Sequence, residues 1–267
     1  MSKMPPIKVI ALSHYYNSRP AVDRISFEVK AGTIFGLLGP NGAGKSTTIK
    51  MLTTLLPATS GTALVDGYDI VQKPALVRQN IGYVPQMLSA DGDLSGFENL
   101  LLSARLYGLA SGKQEKRILE VLEFMGLSEC KDILVNQYSG GMIRKLEIAQ
   151  ALLHEPRVLF LDEPTVGLDP AARKSLWLHI QEWQRKFGTT ILITTHDMDE
   201  ADRLCDVVAF MHLGHIVAED VPKNLKAKQG AQATLDDVFI HLTGSSIKQV
   251  GDYNNVKQIR RTISNLD

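Results

Sequence analysis

The stretch Gly39-Pro40-Asn41-Gly42-Ala43-Gly44-Lys45-Ser46 lies between an apolar run, Ile34–Leu38, and a helix-forming segment, residues 47–52. Its glycines let the backbone curl so that successive N–H groups point into one concavity, and the following helix adds the positive end of its dipole. Lys45 supplies a mobile positive charge for β- and γ-phosphates, and the Ser46 hydroxyl is placed to ligate Mg²⁺. The stretch therefore predicts a phosphate-binding loop on a strand-to-helix turn.

Length, composition and charge describe an ordinary globular chain. Its 267 residues allow one large domain or two modest ones. With 44% hydrophobic residues and a formal net charge of zero, the composition does not favour nucleic acid or an anionic membrane as a partner. The N-terminus lacks the apolar core of a signal peptide, and no stretch reaches about 18 apolar residues. We therefore expect a cytoplasmic chain that does not cross a bilayer by itself, with Cys130 and Cys205 as buried thiols.

Hydrophobic periodicity predicts alternating strands and helices around the loop. Residues 7–10 and 25–29, like the apolar run before the loop, are predicted strands, and residues 94–127 a helical insert. The polar residues 13–20 are expected to form a loop that carries Tyr16. The ring of Tyr16 could stack on a purine or cap the sheet, and the residues alone leave both interpretations open.

Acidic residues follow a second apolar run, residues 158–161, which predicts a strand buried on both faces. Asp162 and Glu163 therefore lie at a carboxyl edge of the sheet, where ligands bind in open α/β folds. Asp162 can hold the Mg²⁺ shell and Glu163 can orient and deprotonate water, although both could simply be solvated at a loop mouth. His196 follows the strand Thr190–Thr195, where a neutral imidazole could donate to a γ-phosphate; a lone histidine is more often structural.

A second candidate anion site is Ser139-Gly140-Gly141, which precedes a predicted helix. Ser139 is a good N-cap, and the two glycines leave the first backbone N–H groups of the helix open to a ligand. Helix capping alone explains such a turn more often than ligand binding does.

In this order the motifs resemble those of the nucleotide-binding subunits of ABC transporters, over about residues 7–243. The resemblance implies an α/β fold with a P-loop NTPase core, a mixed sheet, an N-terminal antiparallel β subdomain and a helical insert at about residues 87–155. Residues 1–243 would form this domain, and residues 244–267 a polar C-terminal extension. ATP and Mg²⁺ are the implied cofactors.

The same resemblance implies a role for each motif. Lys45, Glu163 and His196 would be catalytic, and Ser46, Gln86 and Asp162 would hold Mg²⁺. The residues that bind the nucleotide would be Tyr16 on the adenine, the whole stretch Gly39 to Ser46 with Thr47, Gln86 of the Q-loop, Ser139, Gly140 and Gly141 of the signature motif, and Asp169 of the D-loop.

By resemblance, the chain is an ATPase that powers export through a separate integral membrane permease, on the inner face of the membrane. Two copies would bind two ATP molecules head to tail. The signature has Tyr138 and Met142 where many members have Leu and Gln, and the D-loop, residues 166–169, lacks the usual serine. Both variants are similar to the daunorubicin-resistance branch of exporters. The alternatives are an importer's ATPase and a soluble ATPase of this type that acts on ribosomes or DNA.

Overall fold

The computed structural model describes residues 4–230 and 232–244, and within these residues ten strands form two sheets. The strands are β1 (Ile7–Tyr16), β2 (Arg19–Val29), β3 (Ile34–Leu38), β4 (Ser60–Val65), β5 (Tyr68–Asp69), β6 (Ile81–Val84), β7 (Val158–Asp162), β8 (Thr190–Thr195), β9 (Val207–His212) and β10 (His215–Asp220). The helices are α1 (Lys45–Leu52), α2 (Pro74–Asn80), α3 (Gly96–Leu106), α4 (Ser111–Phe124), α5 (Gly140–Leu152), α6 (Pro170–Phe187), α7 (Met198–Leu204), α8 (Pro222–Ala227) and α9 (Leu235–Thr243).

The larger sheet has the strand order β10-β9-β3-β8-β7-β6. Strands β9, β3, β8, β7 and β6 pair in parallel, whereas β10 pairs antiparallel with β9. The expected mixed sheet is therefore confirmed. The strands β3, β8 and β7 in the middle of this sheet are buried at every residue, so their alternating side chains pack into a core on each face. In β3, Phe35 and Leu37 join one apolar cluster while Ile34 and Leu38 join the other.

The smaller sheet, β2-β1-β4-β5, is antiparallel, as expected for the N-terminal region. The predicted loop over residues 13–20 is wrong, because β1 and β2 continue into a hairpin that turns at Asn17 and Ser18. Both turn residues have positive φ, +47° and +65°, which is the backbone sign that a type I′ turn requires. Ser13 is fully buried there, and its Oγ accepts a hydrogen bond of 2.8 Å from the Arg24 N–H.

Two apolar clusters hold these layers together. One lies between the two sheets and includes the buried side of α1, and the other joins the larger sheet to the helices on its opposite face. The predicted helical insert is present as α3 and α4, whose buried residues include Leu100 and Val121. Cys205 is buried and Cys130 half-buried, and both are free thiols.

Helix α3 begins where a tyrosine fills the space beside a glycine. The Tyr138 hydroxyl donates a hydrogen bond of 2.6 Å to the Cys130 carbonyl, and the ring is buried. A Cβ at Gly96 would lie 2.3 Å from the Tyr138 hydroxyl oxygen, so glycine makes room for the ring.

In the described part of the chain, no helix is long and apolar enough to cross a membrane. Apart from Gly244, the predicted C-terminal extension lies outside the described residues.

Candidate active site

The predicted phosphate loop connects β3 to α1, so it lies at the carboxyl edge of the larger sheet. Gly44 is the N-cap of α1 with φ +111°, and a Cβ there would lie 2.5 Å from the Ala21 carbonyl oxygen. Within the described residues no side chain caps α1. The first N–H groups of the helix are therefore available to an anion, and the helix dipole favours one.

A cavity of about 550 Å³ opens over this helix terminus. Its lining consists of Ala21 and nine residues that the sequence singles out: Tyr16, Asn41, Gly42, Gly44, Lys45, Ser46, Thr47, Gln86 and Glu163. Tyr16 packs edge-on against His14 with 48% of its surface exposed, so the ring can cap the sheet and still offer an aromatic surface. The cavity thus combines an aromatic wall, an anion-binding helix end and charged side chains, which fits a nucleotide.

Lys45 is buried beneath the loop and makes three polar contacts. Its Nζ donates to the Gly39 carbonyl at 2.8 Å and to the Pro40 carbonyl at 3.2 Å, and it lies 3.0 Å from Glu163 Oε1. Because an ammonium has three donors, these contacts can account for all of them. Gly39 and Pro40 thus position the lysine with their carbonyls rather than line the cavity.

Glu163 directly follows β7 and is almost completely buried, with a positive φ of +50°. Its N–H lies 3.1 Å from both the carbonyl and the hydroxyl oxygen of Thr194, and its Oε2 is hydrogen bonded to His196 Nδ1 at 2.5 Å. Burial raises the pKa of Glu163, but the bond from His196 and the charge of Lys45 outweigh it, so the net pKa is lowered. A carboxylate held ionised in this way can accept a proton from water.

The pKa of His196 is shifted by its contact with Glu163. The hydrogen bond to Glu163 raises the pKa of His196, and this effect exceeds the opposing effect of partial burial. The contact with Glu163 therefore stabilises the protonated ring relative to a histidine in water.

Asp162 is the last residue of β7 and is buried beside the phosphate loop. Its Oδ1 accepts hydrogen bonds from Ser46 Oγ at 3.0 Å and Thr194 Oγ1 at 2.6 Å. A carboxylate and a hydroxyl so close together, with Gln86 lining the same cavity, are oxygen donors of the kind Mg²⁺ takes together with phosphate oxygens. The described residues hold no group of three or more His, Cys, Asp and Glu side chains that could bind a metal on its own.

Seven of the predicted binding residues do not line this cavity: Gly39, Pro40, Ala43, Ser139, Gly140, Gly141 and Asp169. Ser139 caps α5, as predicted, by accepting a hydrogen bond of 3.3 Å from the Met142 N–H, and Gly140 and Gly141 open the same helix. Asp169 caps α6 by accepting two backbone hydrogen bonds of 2.9 Å. One chain thus brings the phosphate loop, Gln86 and Glu163 together and leaves the signature residues apart from them.

Three residues that sequence reasoning did not single out also contribute. Thr194 joins Asp162 to Glu163, because the β7–β8 register places Asp162 opposite it. A hydroxyl near the carboxyl end of a buried strand is the signal that could have found it. Arg144 and Glu147 form a buried ion pair that contacts the residues around Gln86.

Comparison with known proteins identifies the relatives of this chain. Residues 22–166 match the family model for ABC transporters. The chain is 44% identical over 225 residues to the daunorubicin/doxorubicin resistance ATP-binding protein DrrA of Streptomyces peucetius, a match that covers 84% of this chain and 68% of that protein. It is 41% identical over 234 residues to the linearmycin resistance ATP-binding protein LnrL of Bacillus subtilis, covering 88% and 73%.

A solved structure of an ATP-binding subunit of an ABC transporter has the same fold. It superposes with a TM-score of 0.79 at 32% sequence identity, and the match covers 89% of this chain and 99% of that subunit. The α/β fold predicted from the motifs is confirmed by this likeness.

Proposed function

Because this chain belongs to the ABC transporter family, we propose that it binds and hydrolyses ATP to power export through a separate membrane protein. Two relatives, at 44% and 41% identity, are resistance ATP-binding proteins, which supports an exporter. This similarity does not favour the importer or the ATPase that acts on ribosomes or DNA.

The observation that carries this proposal is the position of Glu163, between Lys45 and His196 at the edge of the cavity. Phosphoryl transfer to water depends mainly on positioning and on charge stabilisation. Glu163 orients the attacking water and accepts its proton, since its lowered pKa keeps it ionised at neutral pH. Lys45 and His196 stabilise the negative charge that develops on the phosphoryl oxygens.

Mg²⁺ would be held by Ser46 and Asp162, with Gln86 at the same cavity. When bound, the ion neutralises charge on the phosphate oxygens. Thr194 keeps the Asp162 carboxylate oriented by its 2.6 Å hydrogen bond. The phosphate loop, Gly39 to Ser46 with Thr47, holds the phosphates through backbone N–H groups, and Tyr16 stacks on the adenine.

A second copy of the chain completes each site in this proposal. The N-terminus of α5 carries a partial positive charge, yet it does not line the cavity of its own chain. A two-fold symmetric dimer would place the partner copy's signature residues and D-loop aspartate, at positions 139–141 and 169, against the nucleotide. The ATPase rate per chain should therefore fall on dilution below the dimerisation range, while ATP affinity changes little; a rate independent of concentration would contradict the shared site.

The membrane partner docks, in this proposal, over residues 87–110. Met87, Leu88 and Leu106 expose 82%, 52% and 79% of their surface there, and the first two directly follow Gln86 in the chain. A docked permease would cover this apolar surface and hold the chain at the inner face of the membrane. Crosslinkers placed at 87–110 should capture the permease and crosslinkers at 222–243 should not; the reverse pattern would place the interface elsewhere.

Glu163→Gln tests the hydrolytic function. The variant should still bind ATP and should accumulate as an ATP-bound dimer, while kcat falls about 10²–10⁴-fold with loss of the general base. Glu155→Gln is the matched control, because Glu155 is an exposed carboxylate, 68% accessible, outside the nucleotide cavity. Glu163→Gln with a near wild-type rate of ATP hydrolysis would show that Glu163 is not the base.

A further inference from the structure

Helix α5 contains a buried ion pair one turn in from its N-terminus. Arg144 Nη1 lies 2.9 Å from Glu147 Oε2, and each side chain is only 2% exposed. Burying two charges is costly unless hydrogen bonds satisfy them, and apolar residues of similar volume often stabilise a fold as well or better. The pair therefore calls for an explanation other than stability.

Both side chains reach from α5 to the segment that carries Gln86. Arg144 donates through Nη1 to the Pro85 carbonyl and through Nη2 to the Gln86 carbonyl, each at 2.7 Å. Glu147 Oε1 accepts hydrogen bonds from the N–H and, at 3.2 Å, the hydroxyl of Ser89. Two residues of one helix thus hold both ends of the segment 85–89.

The orientation of the guanidinium supports this reading. Arg144 Nε is buried and has no hydrogen-bond partner within the described residues. Leaving a buried donor unpaired is unfavourable. The guanidinium therefore adopts this orientation to contact the two carbonyls and Glu147, although Nε is left without a partner.

The segment 85–89 has two different surroundings. Gln86 lines the nucleotide cavity, whereas the next two residues, Met87 and Leu88, are largely exposed. The helix that holds the segment begins just after Ser139, less than two turns from Arg144. Arg144 and Glu147, which together we call the clamp, therefore connect three features: the nucleotide cavity, the exposed Met87 and Leu88, and the N-terminus of α5.

We propose that Arg144 and Glu147 are positioning residues that make α5 and residues 85–89 move as one body, so that Gln86 and the Ser139 end of α5 shift together. This inference rests on the proposed function, in which Gln86 lines the nucleotide cavity of its own chain and Ser139 faces the nucleotide of the partner copy. A rigid link between them couples the two sites of a dimer. Loss of the link should lower kcat and cooperativity and leave ATP affinity intact.

Two variants of the full-length chain, Arg144→Lys and Glu147→Gln, test the link that these residues form between α5 and residues 85–89. Arg144→Lys keeps a positive charge beside Glu147 but cannot bridge two carbonyls. Glu147→Gln keeps an acceptor for Ser89 while removing the charge. Leu146→Ala is the control, because Leu146 is a fully buried apolar residue of the same helix.

The first readout is ATP hydrolysis as a function of ATP concentration. Arg144→Lys should lower kcat about tenfold, within the usual range of coupling between sites, and bring the Hill coefficient close to 1 with KM changed less than about twofold. Leu146→Ala should lower Tm yet keep the Hill coefficient. Wild-type kcat and cooperativity in Arg144→Lys, or losses matching those of Leu146→Ala at equal stability, would overturn the proposal.

Amide hydrogen exchange provides a readout that does not need hydrolysis. Both clamp variants should speed exchange at residues 86–89 and at residues 139–143 together, whereas Leu146→Ala should affect α5 alone. Unchanged exchange at either segment would overturn the clamp even if the wild-type chain hydrolyses ATP. An inactive wild type would instead contradict the proposed function, and the exchange data would still decide on the clamp.

Discussion

The Lys45 ammonium lies 3.0 Å from the Glu163 carboxylate, and the two side chains expose only 5% and 3% of their surface. Each charge compensates the other in a place that water hardly reaches. The contact joins the phosphate loop after β3 to the residue that follows β7, so it also fixes the distance between two neighbouring parts of the site.

Loss of one partner should therefore destabilise the fold. Lys45→Met leaves Glu163 buried without its cation, and we expect the free energy of unfolding to fall by about 3–5 kcal/mol. The double variant Lys45→Met/Glu163→Gln should lose less than the sum of the single variants, because both charges are gone. Urea unfolding without nucleotide measures this cycle, and strictly additive losses would mean that the two groups do not interact.

The hydrogen bond between Glu163 and His196 should make the free energy of unfolding depend on pH. Glu163 raises the pKa of His196, so Glu163→Gln should lower it, as NMR titration of the ring can measure. His196 contributes to stability fully below its ordinary pKa of 6.5, and this contribution is lost as pH rises through its raised native pKa. Glu163 contributes fully above its ordinary pKa of 4.5, and this contribution is lost as pH falls through its lowered native pKa.

The difference in unfolding free energy between wild type and Glu163→Gln should therefore be largest between pH 4.5 and 6.5. It should shrink toward both ends of the pH range. A difference that is constant with pH, or an unchanged His196 pKa, would argue against the bond.

Glu200 is another buried carboxyl, and its contribution to stability should depend on pH in the opposite sense to that of Glu163. Its Oε1 accepts hydrogen bonds from Thr165 Oγ1 at 2.8 Å and Trp177 Nε1 at 2.9 Å, and burial raises its pKa more than hydrogen bonds lower it. A raised native pKa means that stability falls as pH rises from 4.5 to the native value. Glu200→Gln cannot ionise, so its unfolding free energy should decline less over this range, whereas the exposed control Glu155→Gln should follow the wild type.

Two glycines of the phosphate loop should differ in their tolerance of alanine. A Cβ at Gly44 would lie 2.5 Å from the Ala21 carbonyl oxygen, whereas at Gly42, φ +82°, the described chain has no heavy atom within 4 Å of a Cβ. Gly42→Ala should cost about 1–2 kcal/mol of backbone strain and weaken nucleotide binding without abolishing it, since its Cβ meets no protein atom but Gly42 lines the cavity. Gly44→Ala must displace the loop from the Ala21 backbone and should abolish detectable binding of a fluorescent ATP analogue. Equal affinities would show that the loop adapts.

The phosphate loop and the neighbouring acids could be predicted because their signals are local. A glycine-rich turn between an apolar strand and a helix, and two carboxylates after a second apolar strand, need no knowledge of distant contacts. Asp162, Glu163 and His196 meet because β7 and β8 are adjacent parallel strands that end at the same edge. Periodicity identified these strands.

Other features depend on contacts that a single sequence does not reveal. The spacing of Arg144 and Glu147 is the spacing of an exposed helix pair, and only the packing of α5 against residues 85–89 buries it. The long β1–β2 hairpin escaped detection because its strands contain polar residues and its turn, Asn17 and Ser18, lacks glycine. Tertiary pairing overrides both local signals.

The contact between Gly96 and Tyr138 restricts which residues relatives of this chain can have at these two positions. The tyrosine hydroxyl occupies the volume that a Cβ at position 96 would need. A relative with leucine at position 138 would lack the hydrogen bond to the Cys130 carbonyl, and its position 96 would be free to carry a side chain. These two positions should thus covary across the family, and a chimera that inherits only one of them should contain either a void or a steric clash.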